Sequence, residues 1–304
     1  MNLPGRLIVI GTGLIGGSVA IAARDRGFAG YVVGVDADRA ALETGLGRGL
    51  FDAVGMPPDP GPDDLILIAV PTLAVPTVLA GLQSEDGRFA GGATVTDAAS
   101  VKGSVVAAAI ALPGGQPARF VPGHPIAGSE RSGISAARVD LFRDRRVILT
   151  PDAATDAAAL ERTRGLWAAL GAEVVEMDVA EHDRVLAMTS HLPHLLAFAL
   201  VDTLGRQDEH AEIFRLAAGG FRDFTRIASS DPVMWGDIFT ANADAVLAIL
   251  DRYQQDLAAL RTLLETGDRD ALLALFQRAK ELRDAHVLGQ VSDPVSKHVS
   301  EQAS

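Results

Sequence analysis

The stretch LIVIGTGLIG, residues 7–16, decides the fold that we predict for this chain. Its first four residues are apolar and β-branched or aliphatic, which is typical of a strand buried on both faces. The strand leads into a G-x-G-x-x-G motif made of Gly11, Thr12, Gly13, Leu14, Ile15 and Gly16. Between a strand and a helix, this motif is typical of dinucleotide-binding domains, because its glycines allow a tight turn, close approach of the pyrophosphate and close helix–strand packing.

A carboxylate further along the chain indicates which dinucleotide is bound. Asp36 lies 20 residues beyond Gly16, at the end of the second predicted strand, where it would accept hydrogen bonds from ribose hydroxyls. It would repel a 2′-phosphate, which favours NAD over NADP, although Arg39 nearby leaves NADP open. Val70 and Pro71 follow the third buried strand and are expected beside the cofactor, unless Pro71 simply ends the strand.

Strand-like and helical runs alternate over the first 178 residues, which predicts a doubly wound, mostly parallel sheet. The predicted strands are residues 7–10, 31–35, 65–70, 94–96, 119–121, 147–149 and 173–177. After Asp178 only helical patterns remain. We therefore predict a Rossmann-type α/β domain of residues 1–178, an all-helical domain of residues 179–288 and a polar tail of residues 289–304.

One predicted helix, residues 232–265, is much longer than the others. Asp231 and Pro232 are typical of a helix start, and Gly267 is typical of a helix end. Apolar residues recur along it with heptad-like spacing, at Val246, Leu250, Tyr253, Leu257, Leu260 and Leu264. This pattern favours packing against a second subunit in a homodimer, and packing inside its own bundle is the alternative.

Composition excludes several classes of function. The 304 residues carry a net charge of −12 without a basic cluster, which argues against nucleic-acid binding. There are no cysteines, so disulfides, zinc–thiolate sites and thiol nucleophiles are excluded. No run of about 20 continuous apolar residues predicts a membrane span. We expect a cytoplasmic protein.

Two loops that follow predicted strands carry candidate catalytic residues. Ser100 lies at the carboxyl edge of the predicted sheet, where it could contact a ligand, cap the next helix, or do both. His124, between Gly123 and Pro125, is the natural general base near neutral pH, because it is the only histidine predicted at that edge. A satisfied surface histidine is the alternative.

The helical half contributes further polar candidates. Ser190 and His194 share a helix face, and Pro193 is expected to kink that helix. His191 and His194 lack an obvious third ligand, so no metal site is predicted. Arg226 is a candidate carboxylate clamp, or alternatively a structural partner for nearby aspartates.

Five stretches together resemble the prephenate/arogenate, or cyclohexadienyl, dehydrogenase family. They are GTGLIGGS (11–18), DAASVKG (97–103), GHPIAGSE (123–130), TSHLPH (189–194) and GGFRDFTRIASSDPVMWGDIF (219–239). The first is shared by many dehydrogenases, whereas the other four are specific. The resemblance implies a Rossmann-type domain, a helical dimerisation domain and NAD-dependent oxidative decarboxylation of prephenate to 4-hydroxyphenylpyruvate in tyrosine biosynthesis. Arogenate, or both substrates, is the alternative.

The resemblance also implies roles for individual residues. His124 takes the proton of the substrate's ring hydroxyl, Ser100 contacts that hydroxyl and Arg226 holds the ring carboxylate. Further positions line or gate the substrate pocket, namely Ser129, Glu130, Ser190, His194, Asp223 and Trp235, of which Trp235 matches an aromatic reaching across the dimer. Serine at 129 departs from the threonine frequent in the family but keeps the hydroxyl. Any tyrosine inhibition would act at the active site.

Two other functions remain open from the residues alone. A β-hydroxyacid dehydrogenase would need a lysine in the helical domain, and the only lysines after Asp178, Lys280 and Lys297, lie near the C-terminus, which disfavours that chemistry. A non-catalytic NAD-binding regulator would leave His124 and Arg226 without a role.

Overall fold

The computed structural model describes residues 4–83, 89–129 and 131–288. The predicted polar tail of residues 289–304 therefore lies outside the described residues. The chain divides into two compact units, residues 1–247 and residues 248–304. Every candidate site residue belongs to the first unit.

A parallel six-stranded sheet forms the centre of the first unit. Its strands are β1 (Leu7–Ile10), β2 (Val32–Val35), β3 (Ala53–Val54), β4 (Leu65–Ile68), β5 (Thr94–Asp97) and β6 (Phe120–Val121). They lie in the order β3-β2-β1-β4-β5-β6, and every neighbouring pair is parallel. The chain reverses its direction of winding between β1 and β4, which is where ligands bind in open α/β sheets. The predicted doubly wound sheet is confirmed.

The central strands are buried on both faces, as their continuous apolar sequences predict. Leu7 and Val9 of β1 belong to one hydrophobic cluster, while Ile8 and Ile10 belong to another on the opposite face. Strand β4 alternates in the same way. This alternation follows from the two-residue period of a strand, and it gives the sheet a core on each side.

Three further strands form a second sheet. They are β7 (Gly123–Pro125), β8 (Arg146–Leu149) and β9 (Glu173–Glu176), with β7 antiparallel to β8 and β8 parallel to β9. The last two were predicted as strands, whereas the expectation of a loop around His124 is wrong. The sequence does not indicate β7, because the strand has only three residues and two of them are glycine and proline. Its pairing partners also lie more than 20 residues away, as in His124 with Ile148.

The described chain also contains twelve α-helices. They are α1 (Leu14–Asp25), α2 (Arg39–Gly47), α3 (Val75–Gly81), α4 (Lys102–Ile110), α5 (Ala157–Ala169), α6 (Val179–Leu186), α7 (Leu192–Gly205), α8 (His210–Arg215), α9 (Gly219–Thr225), α10 (Pro232–Ala241), α11 (Ala243–Thr266) and α12 (Arg269–Arg283). A π-helical turn, Ala187–His191, joins α6 to α7 directly before Pro193. The irregularity expected near Pro193 is thus a π turn, a feature that often occurs at functional sites.

The prediction of one continuous helix over residues 232–265 is wrong, because the helix breaks at Asn242. The predicted start is confirmed: Asp231 accepts hydrogen bonds from the backbone N–H groups of Val233 and Met234 at 2.8 and 3.2 Å. At the break, the buried Asn242 side chain donates to the backbone carbonyl of Asp183 at 2.9 Å. These tertiary contacts compete with the helix, and no spacing pattern in the sequence reports them.

The second unit contains most of α11 and all of α12. Gly267, with φ of +66°, ends α11, and Asp268 caps α12 by accepting from Ala271 N at 3.0 Å. Large apolar side chains on these helices are exposed, including Leu264 at 68% and Phe276 at 57%. Such exposure is expected of a surface that another chain covers.

A fully buried ion pair fixes β7 beside β5. The Lys102 ammonium donates to the Asp97 carboxylate and, at 2.6 Å, to the carbonyl of Gly123. Asp97 in turn accepts from the Gly123 N–H at 3.1 Å. The pair therefore hydrogen-bonds both the N–H and the carbonyl of Gly123, the residue that precedes His124. Burial lowers the pKa of Lys102, although Asp97 opposes the shift.

Replacing Lys102 by methionine should lower the free energy of unfolding by about 3–5 kcal/mol, because Asp97 is left as an uncompensated buried charge. Denaturant unfolding at fixed protein concentration measures the loss. The double variant Asp97→Asn with Lys102→Met should recover part of the stability. A double variant as unstable as Lys102→Met alone would show that the charge is not the cause.

Candidate active site

The turn after β1 has room for glycine alone at two positions. Gly11 has φ of +94°, and a Cβ added there would lie 2.4 Å from the carbonyl oxygen of Ala69. A Cβ on Gly16 would lie 2.0 Å from the carbonyl oxygen of Gly11. At Gly13, by contrast, an added Cβ would meet no described atom within 4 Å. Two glycines thus shape the turn, and the third leaves its backbone open to a ligand.

The helix that follows this turn presents free backbone donors. Gly13 is the N-cap residue of α1, and no side chain caps the helix there. The first N–H groups of a helix have no partner inside the helix, and the helix dipole gives this end a partial positive charge. An uncapped N-terminus at a glycine turn can therefore bind a pyrophosphate.

Asp36 directly follows β2 and lies beside the same turn. Its carboxylate accepts hydrogen bonds from the N–H and the hydroxyl of Thr12 at 2.6 and 2.8 Å, and from the N–H of Asp38 at 2.9 Å. Burial raises the pKa of Asp36, but these hydrogen bonds outweigh it and hold the pKa below its usual value. The structure thus places an ionised carboxylate next to the glycine turn.

Val70 and Pro71 follow β4, the neighbour of β1 in the sheet. The backbone nitrogen of Val70 would lie 2.8 Å from a Cβ on Gly11, so this segment borders the glycine turn. Val70 is half-buried and Pro71 is exposed. Both residues lie at the switch point of the sheet.

Ser100 lies half-buried at the carboxyl end of β5, but it does not cap the next helix. The N-cap residue of α4 is Val101. The helix is capped instead by Asp183, whose carboxylate oxygens accept from the N–H groups of Lys102 and Gly103 at 2.8 and 2.7 Å. The suggestion that Ser100 caps α4 is therefore wrong, and its hydroxyl makes no hydrogen bond with any described residue.

His124 is buried and linked to a second histidine. Its Nδ1 lies 2.9 Å from Nε2 of His182, and Nδ1 of His182 lies 2.8 Å from Oδ1 of Asp183. The inference that His124 is the only histidine at this edge is wrong, because α6 brings His182 to the same place. The three side chains form a continuous line of polar atoms that ends at the cap of α4.

The surroundings of His124 keep it neutral near pH 7. Burial, followed by the nearby His182, Lys102 and His191, lowers the pKa of His124 well below 6.5. Burial also opposes ionisation of Asp183, but hydrogen bonds from His182 and from the N-terminus of α4 hold the pKa of Asp183 below its usual value. A neutral imidazole beside an ionised carboxylate is the protonation state that a general base requires.

A second cluster lies on the π turn, α7 and α10. The rings of His194 and Trp235 are stacked with centroids 3.7 Å apart, and His191 meets Trp235 edge-on at 6.0 Å. Burial lowers the pKa of His194 against the opposing hydrogen bond to Ser190, and the charge of Arg226 lowers it further. The backbone carbonyl of Ser190 lies 2.9 Å from Nδ1 of His194. Trp235 is buried against histidines of its own chain.

Asn242 connects the two clusters. Its Nδ2 donates to the backbone carbonyl of Asp183 and lies 3.1 Å from Nδ1 of His191. Because Asp183 orients His182 and His191 contacts Trp235, the break between α10 and α11 holds both clusters in place.

Two predicted pocket residues, Ser129 and Asp223, are not joined to these clusters among the described residues. Ser129 is exposed, and its hydroxyl bonds only to the backbone of Arg131, at 3.0 and 3.1 Å, among the described residues. Asp223 is exposed on α9, and its carboxylate forms no hydrogen bond with another described residue. Glu130 lies outside the described residues.

Two general features bear on ligands and location. Within residues 4–83, 89–129 and 131–288, no group of three or more histidine or acidic side chains could hold a metal ion. By length and composition, one described helix, Val179–Gly205, could cross a membrane, a test that core helices of soluble proteins also pass.

The six-stranded sheet, the glycine turn and the uncapped α1 define a dinucleotide-binding α/β protein, extended by helices that bring a second buried histidine to His124. Residues 19–176 match the family profile "Prephenate dehydrogenase, nucleotide-binding domain", and residues 178–278 match "Prephenate dehydrogenase, dimerization domain". The chain belongs to the prephenate dehydrogenase family.

Individual relatives agree with this assignment. The chain is 35% identical to prephenate dehydrogenase of Bacillus subtilis over 93% of its own length and 76% of the relative. It is 39% identical to cyclohexadienyl dehydrogenase of Zymomonas mobilis over 72% of its length and 74% of the relative. The crystal structure of A. aeolicus prephenate dehydrogenase with hydroxyphenyl propionate and NAD⁺ superimposes with a TM-score of 0.84 at 33% identity, covering 92% of this chain and 97% of that one.

Several residues at the site were not identified from the sequence. His182 and Asp183 lie 58 and 59 positions beyond His124, and Lys102 and Asn242 look like an ordinary surface lysine and a helix residue. One signal was present: His182 lies on the apolar side of the amphipathic α6, where a polar side chain needs a buried partner.

The buried histidines should make the folded protein sensitive to acid. Burial, followed by His182 and His194 against the opposing charge of Asp183, lowers the pKa of His191 to about 4. Between about pH 6.5 and pH 4 the unfolded chain binds a proton at this position and the folded chain does not. Stability is therefore complete above the unfolded pKa, and it falls with pH by about 1.4 kcal/mol per unit for this histidine.

Urea unfolding between pH 7 and pH 5 at constant protein concentration tests this. The slope of the unfolding free energy against pH should be shallower in His191→Gln by about 1.4 kcal/mol per pH unit, which corresponds to the uptake of one proton. The exposed His210→Gln is the control and should keep the wild-type slope. Equal slopes in His191→Gln and wild type would contradict the assignment.

Proposed function

We propose that this chain catalyses the NAD-dependent oxidative decarboxylation of prephenate to 4-hydroxyphenylpyruvate in tyrosine biosynthesis. The observation that carries the proposal is the buried, neutral His124 at the carboxyl edge of a sheet with a dinucleotide turn, in a chain of this family. Relatives named prephenate dehydrogenase, one of them solved with NAD⁺, support it.

The residues of the glycine turn fit NAD. Gly11 and Gly16 shape the turn, Gly13 leaves space for a phosphate, and the uncapped α1 supplies N–H donors. We assign Thr12, Leu14 and Ile15 to the same contact, and Val70 and Pro71 to the border of the site. Asp36 is ionised and would repel a 2′-phosphate, which favours NAD. When bound, NAD accepts the hydride from the substrate ring.

His124 acts as the base in this proposal. The substrate carries a hydroxyl and a hydrogen on one ring carbon and a carboxylate on the opposite carbon. Removal of the hydroxyl proton by His124 promotes loss of hydride and of carbon dioxide, and the ring becomes aromatic. Since aromatisation drives the reaction, the protein mainly orients the groups and accepts one proton. Ser100 is assigned to the same hydroxyl.

The second cluster is assigned to the rest of the substrate. Arg226 would hold the ring carboxylate, because a guanidinium pairs with a planar anion through two hydrogen bonds. The stacked His194 and Trp235, with Ser190, would line the end that carries the side chain. Ser129, Glu130 and Asp223 are assigned to the rim of the pocket by family resemblance.

Arogenate, or both substrates, is the alternative, and the relative named cyclohexadienyl dehydrogenase favours it. Prephenate and arogenate differ in a keto or an amino group remote from the hydride. His194 lies in the cluster assigned to that end.

We further propose a homodimer formed by the helices after residue 178, with the domain boundary at that position. The match to the family's dimerisation domain and the exposed apolar side chains of α11 and α12 support this. Inhibition by tyrosine would be competitive at the active site, and the proposed location is the cytoplasm.

The proposed function is tested by mixing the protein with NAD and either prephenate or arogenate and following reduced nicotinamide. Reduction with prephenate is the expected result. Reduction with arogenate alone would select the alternative, and NAD binding without reduction by either acid would reject the substrate assignment.

Replacing His124 by asparagine should lower kcat by roughly 10²–10⁴-fold with little change in KM, because only proton transfer is lost. Steady-state kinetics measure both constants. The exposed His210→Asn should behave as wild type. Near-normal turnover in His124→Asn would exclude His124 as the base.

Replacing Gly13 by alanine should raise the dissociation constant of NAD at least tenfold, which corresponds to a loss of about 1.4 kcal/mol of binding free energy. The unfolding temperature should not change, because an added Cβ meets no described atom within 4 Å. Calorimetric titration with NAD measures the affinity, and Gly30→Ala, in an exposed and equally open position, is the control. Unchanged affinity in Gly13→Ala would place the pyrophosphate elsewhere.

A further inference from the structure

The hydrogen bonds around His182 determine which of its nitrogens carries hydrogen. Nδ1 of His182 lies 2.8 Å from Oδ1 of Asp183. The same carboxylate accepts from two backbone N–H groups, those of Lys102 and Gly103, and stays ionised. An ionised carboxylate can only accept, so Nδ1 of His182 carries a hydrogen.

The next hydrogen bond transmits this assignment to His124. A neutral His182 with hydrogen on Nδ1 has its lone pair on Nε2. That nitrogen lies 2.9 Å from Nδ1 of His124, which must then carry the donated hydrogen. Because a neutral imidazole has one N–H, the lone pair of His124 lies on Nε2.

Nε2 of His124 is the atom that remains available. It makes no hydrogen bond with a described residue, while Nδ1 is occupied by His182. An imidazole without such a partner exchanges between two tautomers, and the form with hydrogen on Nε2 could not accept a proton at that atom. A carboxylate that fixes a catalytic imidazole in one tautomer is a recurring device in other enzymes.

We propose that His182, held by Asp183, is a positioning residue that fixes His124 in the tautomer with a lone pair on Nε2. The inference rests on the proposed function for its chemical consequence. When Nε2 takes the proton of the substrate's hydroxyl, the O–H bond breaks, an N–H bond forms and oxygen keeps the electron pair. The new imidazolium donates its Nδ1 hydrogen to His182, so the positive charge is stabilised along the line to Asp183.

The tautomer is measured directly on the full-length protein labelled with ¹⁵N in its histidine rings. Long-range ¹H–¹⁵N correlation spectra near pH 7.5 distinguish a protonated from an unprotonated ring nitrogen, and His124→Asn identifies the signals of His124. Hydrogen on Nδ1 of His124 and none on Nε2 is the expected result. Hydrogen on Nε2 of His124 in the wild type, with His182 doubly protonated, would overturn the proposal without any enzymatic assay.

Substitution of His182 separates positioning from a merely structural role. His182→Leu removes the acceptor, and we expect kcat to fall about 10²-fold, KM to change less than threefold, and hydrogen to appear on Nε2 of His124. His182→Gln keeps an acceptor oxygen and should restore most of kcat. The exposed His210→Leu is the control for the substitution.

A loss of kcat in His182→Leu with an unchanged tautomer of His124 would overturn the proposal, as would unchanged kcat. If His182→Leu does not fold, the wild-type spectrum still decides. If the wild type reduces no NAD with prephenate or arogenate, the proposed function fails, whereas the spectrum tests the positioning role independently.

Discussion

One residue, Asp183, holds together the parts from which the candidate active site is built. Its carboxylate accepts two hydrogen bonds from the N-terminus of α4 and contacts His182, and its backbone carbonyl accepts from Asn242. A Cβ on Gly103 would lie 2.7 Å from Oδ2 of Asp183, so the glycine in the Asp97–Gly103 stretch makes this contact sterically feasible. Asp183 is therefore the point at which α4, α6 and the break before α11 are joined.

The site depends on buried charges placed on two sides of one imidazole. Lys102 and Asp97 hold the backbone at Gly123, directly before His124, and Asp183 lies at the far end of the histidine pair. Buried ionic groups stabilise a protein only when each has its partners. Here the partners come from β5, β7, α4 and α6, so the geometry at His124 is determined by the tertiary fold rather than by its local sequence.

Much of the fold could be predicted from the sequence, because the deciding features are local. Continuous apolar runs gave the central strands, the glycine motif gave the turn after β1, and Asp231, Pro232 and Gly267 gave helix ends. Strand β7 and the break at Asn242 could not be predicted in this way. Both depend on partners far along the chain: β8 for the strand, and Asp183 and His191 for the asparagine.

The candidate site shows the same contrast between features that depend on local sequence and features that depend on distant partners. His124, Ser100 and the glycine turn follow strands, so their position at one sheet edge follows from the parallel topology. His182 was not predicted at the site, because the sequence of a helix does not indicate which strand that helix packs against. The position of Ser100 before α4 suggested that it caps this helix. The cap is instead Asp183, which lies 80 residues beyond Gly103, the residue whose N–H it accepts.

The line from His124 to Asp183 also has a consequence for how the enzyme comes into being. The glycine turn, Asp36 and His124 are all synthesised before residue 125, whereas His182 and Asp183 come from α6, after the α/β sheets are complete. A chain that had folded only its first half would lack the contact at Nδ1 of His124. On the proposed mechanism, the orientation of the base would be gained only when α6 docks.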